Sequence, residues 1–179
     1  MKELLRESFR AAFAQFLEQE TDNILNGTSE RNLCAHLAPL LQQAAAAAGF
    51  AGYRTDVEYN RNQGGRVKTI LDGEMREVRI TCDLILHSRG KNSAKDNLIA
   101  IEMKRLEHPQ SEKEKDRSRL RALTKESYDD IWSADGVALP EHVCGYELGY
   151  FAELDHGARI FRFEEYQRGN LVDRFNIEF

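Results

Sequence analysis

The sequence predicts an α/β fold, a mixed central β-sheet flanked by helices, and three observations carry that expectation. Apolar side chains repeat at helical spacing over roughly the first fifty residues, the middle of the chain changes to period two, and a charged helical stretch separates that middle from a closing run of strands.

Taken in order, Leu4, Leu5, Phe9, Ala12, Phe13, Phe16 and Leu17 define an amphipathic helix over the first twenty residues, broken at Asn26-Gly27-Thr28. Ser29 is suited to cap a second helix that carries Leu33, Leu37, Leu40, Leu41 and Ala44 on one face and ends at Gly49, with a kink expected at Pro39. The alanine run from Ala44 to Ala48 suits close helix packing. From Tyr53 to Asn60 residues alternate as in a strand. Beyond a polar loop, Asn60 to Gly65, the runs Val67–Leu71 and Val78–Leu86 flank Asp72-Gly73 and predict an antiparallel hairpin. After the loop Ser88–Asn97, Leu98–Met103 has the short apolar character of a buried central strand. Pro109–Tyr128 reads as a charged helix anchored by Leu120 and Leu123, and Asp129–Pro140 as a loop carrying Trp132. Strands return at Val143–Leu154 and Ala158–Phe163, and in a last run in which Leu171, Phe175, Ile177 and Phe179 share parity.

The 179 residues, 41% hydrophobic and 31% charged, fit one domain with a real core: an N-terminal helix (1–26), a central segment (28–125) and C-terminal strands (142–179). A formal charge of -5 excludes a polybasic protein that binds nucleic acid by bulk charge. No apolar stretch approaches a membrane span, and Met1–Glu20 mixes acids with bases where a signal peptide would be apolar, so no membrane partner and a cytoplasmic location are expected. Cys34, Cys82 and Cys144 are odd in number and widely spaced, and the histidines are scattered, which suits buried thiols better than disulfides or zinc. Neither a phosphate-binding glycine loop nor a Gly-x-Ser-x-Gly elbow is present.

Chemistry concentrates in Ile80-Thr81-Cys82-Asp83-Leu84-Ile85-Leu86 and, after eighteen intervening residues from Asp83, in Glu102-Met103-Lys104. A buried unpaired charge costs several kcal/mol, so acids in strands this apolar need a partner, either a metal ion or a lysine. Period two puts Glu102 and Lys104 on one face, and Asp83 reaches the same point if the two strands pair, since neighbouring strands lie about 4.8 Å apart. Converging carboxylates suit Mg²⁺, with Mn²⁺ able to substitute, and the lysine beside them suits a phosphate. Of the eight lysines only Lys104 has an acid two positions earlier. The alternative is a salt bridge at a strand end, Glu102 pairing with Lys104 or Arg105.

Asp83 in one strand and Glu102-x-Lys104 in the next resemble the PD-(D/E)XK, or restriction-endonuclease-like, nuclease superfamily, with Cys82 standing where the pattern has its proline. The resemblance spans about residues 28–125 and includes Ser29-Glu30-Arg31-Asn32-Leu33, similar to the helix whose glutamate joins the site in many members. It implies a restriction-endonuclease-like fold and a Mg²⁺-dependent nuclease that hydrolyses phosphodiester bonds, in DNA more than RNA. Asp83, Glu102 and the Met103 carbonyl would bind the metal, Lys104 would act on the attacking water or the developing charge, and Glu30 would hold a water or a second ion. Lys113, Lys115, Arg117, Arg119 and Arg121 of the following helix would contact phosphates, and a homodimer or a recruiting protein would supply specificity. Asp56 and Glu58 suit an exposed strand face better than the metal. Two rival functions remain: a catalytically silent nuclease-like module that binds nucleic acid or protein, and an unrelated metal-dependent hydrolase of small phosphoesters.

Overall fold

Leu5, Phe9, Ala12, Phe13, Phe16 and Leu17 are all buried, and their three- or four-residue spacing forms one face of a helix, α1 (Lys2–Leu25). The computed structural model describes residues 1–59, 69–71, 77–79, 81–92, 94–126 and 144–179. α1 runs five residues past the expected twenty because Ile24 is also buried, and Gly27, at φ +81°, turns the chain where only glycine is unstrained. α2 (Glu30–Ala45) starts as expected: Ser29 Oγ accepts a hydrogen bond from the Asn32 N–H. Pro39 lies inside α2 without ending it, and Ala46–Phe50 continues as a wider turn that Gly49 closes at φ +97°.

Strands β1 (Arg54–Tyr59), β4 (Cys82–His87), β5 (Asn97–Arg105), β6 (Leu148–Asp155), β7 (Ile160–Gln167) and β8 (Asn170–Glu178) form a six-stranded sheet in the order β1-β4-β5-β6-β7-β8. Only β5 and β6 run parallel, joined through α3 (Gln110–Thr124). The remaining strands, β2 (Thr69–Leu71) and β3 (Glu77–Arg79), pair with each other in a separate two-stranded ribbon. The expected strand Val78–Leu86 is therefore two strands, the first pairing back on β2 and the second entering the main sheet beside β1 and β5. Several sequence expectations fall outside the described residues: the Asn60–Gly65 loop, the Asp72-Gly73 turn, Trp132 and the Asp129–Pro140 loop, and the start of the strand at Val143.

Alternation sorts the central strands onto two cores. Leu84, Leu86, Ile99, Ile101 and Met103 face α1 and α2, where Phe9, Phe13 and Phe16 pack with Tyr150, Phe161 and Phe163. Ile85, Ala100 and Phe151 face α3 through Leu120 and Leu123, and Cys82, at the first position of β4, joins that cluster out of alternation. The result is a mixed α/β fold with helices on both faces of the sheet. α3 lies close on β6 because residue 149 is glycine: a Cβ there would stand 2.9 Å from Thr124 Cγ2 and 3.3 Å from Leu120 Cδ2. The middle of α3 lies over the charged end of β4 and β5, where Asp116 and Arg119 reach Lys104 and Glu102. Among the described residues no helix is long and apolar enough to cross a membrane.

Candidate active site at the charged end of two central strands

Antiparallel pairing of β4 with β5 sets Leu84 opposite Ile101 and Ile85 opposite Ala100, so one step further Asp83 faces Glu102. Ile85 and Ala100 belong to the α3 core, and period two therefore puts Asp83, Glu102 and Lys104 on that same face. The expected convergence of Asp83 with Glu-x-Lys thus follows from the register.

Glu102 is completely buried. Its Oε1 accepts a hydrogen bond from Arg119 Nη1 at 2.7 Å, while its Oε2 is buried with no hydrogen-bond partner. Burial, and then the negative charge of Asp83, push the Glu102 carboxyl well above the usual carboxylate range, with Arg119 opposing. Asp83 Oδ2 accepts the Met103 N–H at 2.9 Å. Burial raises its pKa as well, against the Met103 N–H and the Lys104 charge. Two neighbouring carboxyl groups disfavour each other's ionisation, and a proton or a cation between them relieves that cost.

Lys104, on the same face, is 20% exposed, and its Nζ stands 3.4 Å from Asp116 Oδ2 of α3, an ion pair without hydrogen-bond alignment. Burial lowers the Lys104 pKa, but Asp116, Asp83 and Glu30 outweigh it and hold the ammonium above the ordinary lysine range. Asp116 also receives Arg119 Nη1 at 3.2 Å on its other oxygen, so one guanidinium nitrogen is shared by two acids. Glu30 sits at the end of β5, where its Oε1 accepts the Arg105 N–H at 2.7 Å and lies 3.2 Å from His108 Nε2. Arg105 in turn donates to the Thr28 carbonyl at 2.5 Å and ties the start of α2 to the strand. The Cys34 thiol, buried in the core beneath α2, is pushed up by its burial and by Asp83, Glu102 and Glu30, and stays neutral.

The basic helix is less of a surface than its composition suggests. Lys113 is buried and donates to the Leu106 carbonyl at 2.6 Å and to Glu153 at 2.8 Å. Arg117 pairs with Glu164 at 2.8 Å and lies 4.4 Å over the Phe151 ring. Arg119 turns into the carboxylates, Arg121 pairs with Glu114 at 2.8 Å, and Lys115 is exposed. Asp56 is engaged by His87 at 2.8 Å and by Arg89, and Glu58 by Arg31 at 2.8 Å. Asp116 is the site residue that sequence reasoning missed. The signal was its spacing: Asp116, Leu120 and Leu123 fall at i, i+4 and i+7, which puts the acid on the buried stripe of α3.

Among the described residues no group of three or more His, Cys, Asp or Glu side chains is arranged to hold a metal. Asp83, Glu102 and the neighbouring Met103 carbonyl nevertheless make an all-oxygen donor set with one orphaned buried oxygen, Glu102 Oε2. Magnesium suits so small a set, because it takes oxygen ligands and keeps several of its waters. Compared with known proteins, the chain matches no family model, no curated protein and no solved structure.

Proposed function

We propose that the chain is a metal-dependent nuclease with a restriction-endonuclease-like fold that hydrolyses phosphodiester bonds, in DNA before RNA. The observation that supports this most is the fully buried Glu102 carboxyl with its unpartnered Oε2, facing Asp83 across the paired strands, with Lys104 on the same sheet face. A buried acid that only serves the fold tends to have both oxygens bonded.

Asp83, Glu102 and the Met103 carbonyl would hold Mg²⁺, or Mn²⁺ in its place. Bound there, the ion supplies Lewis acidity toward water and neutralises charge on a phosphate. Lys104, kept protonated by Asp116, Asp83 and Glu30, donates to the attacking water or to the phosphate oxygen on which charge grows. Asp116 is a positioning residue that aims the Lys104 ammonium. Glu30 fixes the last turn of the site through the Arg105 N–H, and the resemblance gives it a water or a second ion to hold.

Incubating the chain with single- and double-stranded DNA and with RNA, in Mg²⁺, Mn²⁺ or EDTA, tests the proposal. Oligonucleotide products in either metal, lost in EDTA and in Lys104→Ala, are expected. Cleavage that persists in EDTA, release of inorganic phosphate alone, or no product in either metal would overturn it. The complete burial of Glu102 and its pairing with Arg119 favour a second reading, a silent nucleic-acid-binding module in which these charges neutralise one another. That module would retain oligonucleotides equally in the parent and in Lys104→Ala, and cut neither.

A further inference from the structure

We propose that Arg119 is an internal counter-ion that occupies Glu102 until a nucleic-acid phosphate draws it away, so that metal and nucleic acid bind this site cooperatively; this rests on the nuclease reading. Arg119 Nη1 stands 2.7 Å from Glu102 Oε1 and 3.2 Å from Asp116 Oδ1. The guanidinium therefore sits at the carboxylate that a divalent ion would need, and two positive groups cannot share that carboxylate at full strength. Arg119 is not locked in place. Its side chain is 23% exposed, it comes from a helix and not from the sheet that carries Asp83 and Glu102, and its contact with the Thr81 carbonyl is a long 3.4 Å.

A planar guanidinium matches a phosphate as well as it matches a carboxylate. Swinging outward, Arg119 would exchange Glu102 for a phosphate oxygen and free Glu102 Oε1 beside the already unpartnered Oε2. Asp116 makes the exchange reversible, because it holds the same nitrogen and keeps Arg119 close to the site. Without nucleic acid the acids are neutralised from within and attract metal weakly; with it, the same charge serves the substrate. Linkage requires that metal then tightens nucleic-acid binding by the same factor.

The experiment measures Mn²⁺ binding by the 179-residue chain, by titration calorimetry, for parent, Arg119→Gln and, as a control, Arg174→Gln, whose side chain is exposed on β8. Each is titrated alone and with a hairpin oligonucleotide that has a single-stranded tail and a cleavage-resistant phosphorothioate backbone. Without DNA, Arg119→Gln should bind Mn²⁺ about tenfold more tightly than the parent, the scale of one charge-assisted hydrogen bond, and Arg174→Gln should match the parent. The oligonucleotide should tighten Mn²⁺ binding more in the parent than in Arg119→Gln. If Arg119→Gln does not fold, Arg119→Lys, which keeps the charge and loses the planar fork, should shift the same way by a smaller factor. Equal Mn²⁺ affinity in parent and Arg119→Gln, or equal tightening by Arg174→Gln, overturns the counter-ion role and leaves the nuclease reading standing. No Mn²⁺ binding in any of these proteins overturns both.

Discussion

Glu102 and Glu165 are both buried glutamates, 0% and 2% exposed, yet they are bonded differently. Glu165 receives Arg6 through Nε at 3.0 Å and Nη2 at 2.8 Å, the Tyr150 hydroxyl at 3.1 Å and the Gln167 amide at 2.6 Å. Both of its oxygens are satisfied. Glu102 has one arginine on one oxygen, nothing on the other, and Asp83 alongside. The first arrangement ties α1 to β7 and is stable as it stands, whereas the second is complete only when a proton or a cation is added. Glu165 is saturated by the fold, whereas Glu102 is left with the capacity that the proposed chemistry needs.

The sharpest way to break this contrast is through activity. Lys104→Ala should lower cleavage by about a thousandfold, on the scale of losing a transition-state donor, with the melting temperature nearly unchanged; steady-state kinetics and a thermal melt on one preparation check it. Arg6→Ala should do the reverse. It strands the Glu165 charge in the core and should cost about 3 kcal/mol, read by urea denaturation, with Mn²⁺ affinity unaltered.

At the site itself the sign of the stability change is the informative quantity. Asp83→Asn keeps an oxygen for the Met103 N–H and removes one of two close charges, so metal-free stability should stay level or rise by about 1 kcal/mol. The upward melting shift that Mn²⁺ gives the parent should disappear in the same variant. A structural salt bridge would give a loss of stability instead.

The smallest effect is in pH. Burial and Asp83 raise the Glu102 carboxyl above its ordinary range, so the folded chain holds that proton more tightly than the unfolded one. The associated stability is full below the ordinary glutamate range and declines as pH climbs through the raised value in the fold. Metal-free denaturation curves should therefore show stability falling with pH across that window, and Glu102→Gln should flatten the slope.

Much of this was legible in the residues. The spacing of Leu5 to Leu17 and the alternation around Val57 identify α1 and β1 because each element buries one regular face. The union of Asp83, Glu102 and Lys104 was legible for the same reason, since parity alone puts Glu102 and Lys104 on one side of β5. Strand order was not. Whether Val78–Leu86 is one strand or two depends on which partner each half finds, and such non-local pairing leaves no periodic trace. Nor did charge composition reveal the fate of the basic helix: Lys113, Arg117 and Arg119 are expected to contact phosphates, but Glu153, Glu164 and Glu102 lie within reach and draw them inward. Asp116 was hidden by its charge and betrayed only by its register with Leu120 and Leu123.

Whether Asp83 and Glu102 form an incomplete oxygen cage is decided by an anomalous difference map from crystals soaked in millimolar Mn²⁺. A peak between the two carboxylates and beside the Met103 carbonyl, with Arg119 moved off Glu102, is the result predicted. An empty map there, with the Arg119–Glu102 pair intact at saturating metal, would contradict it.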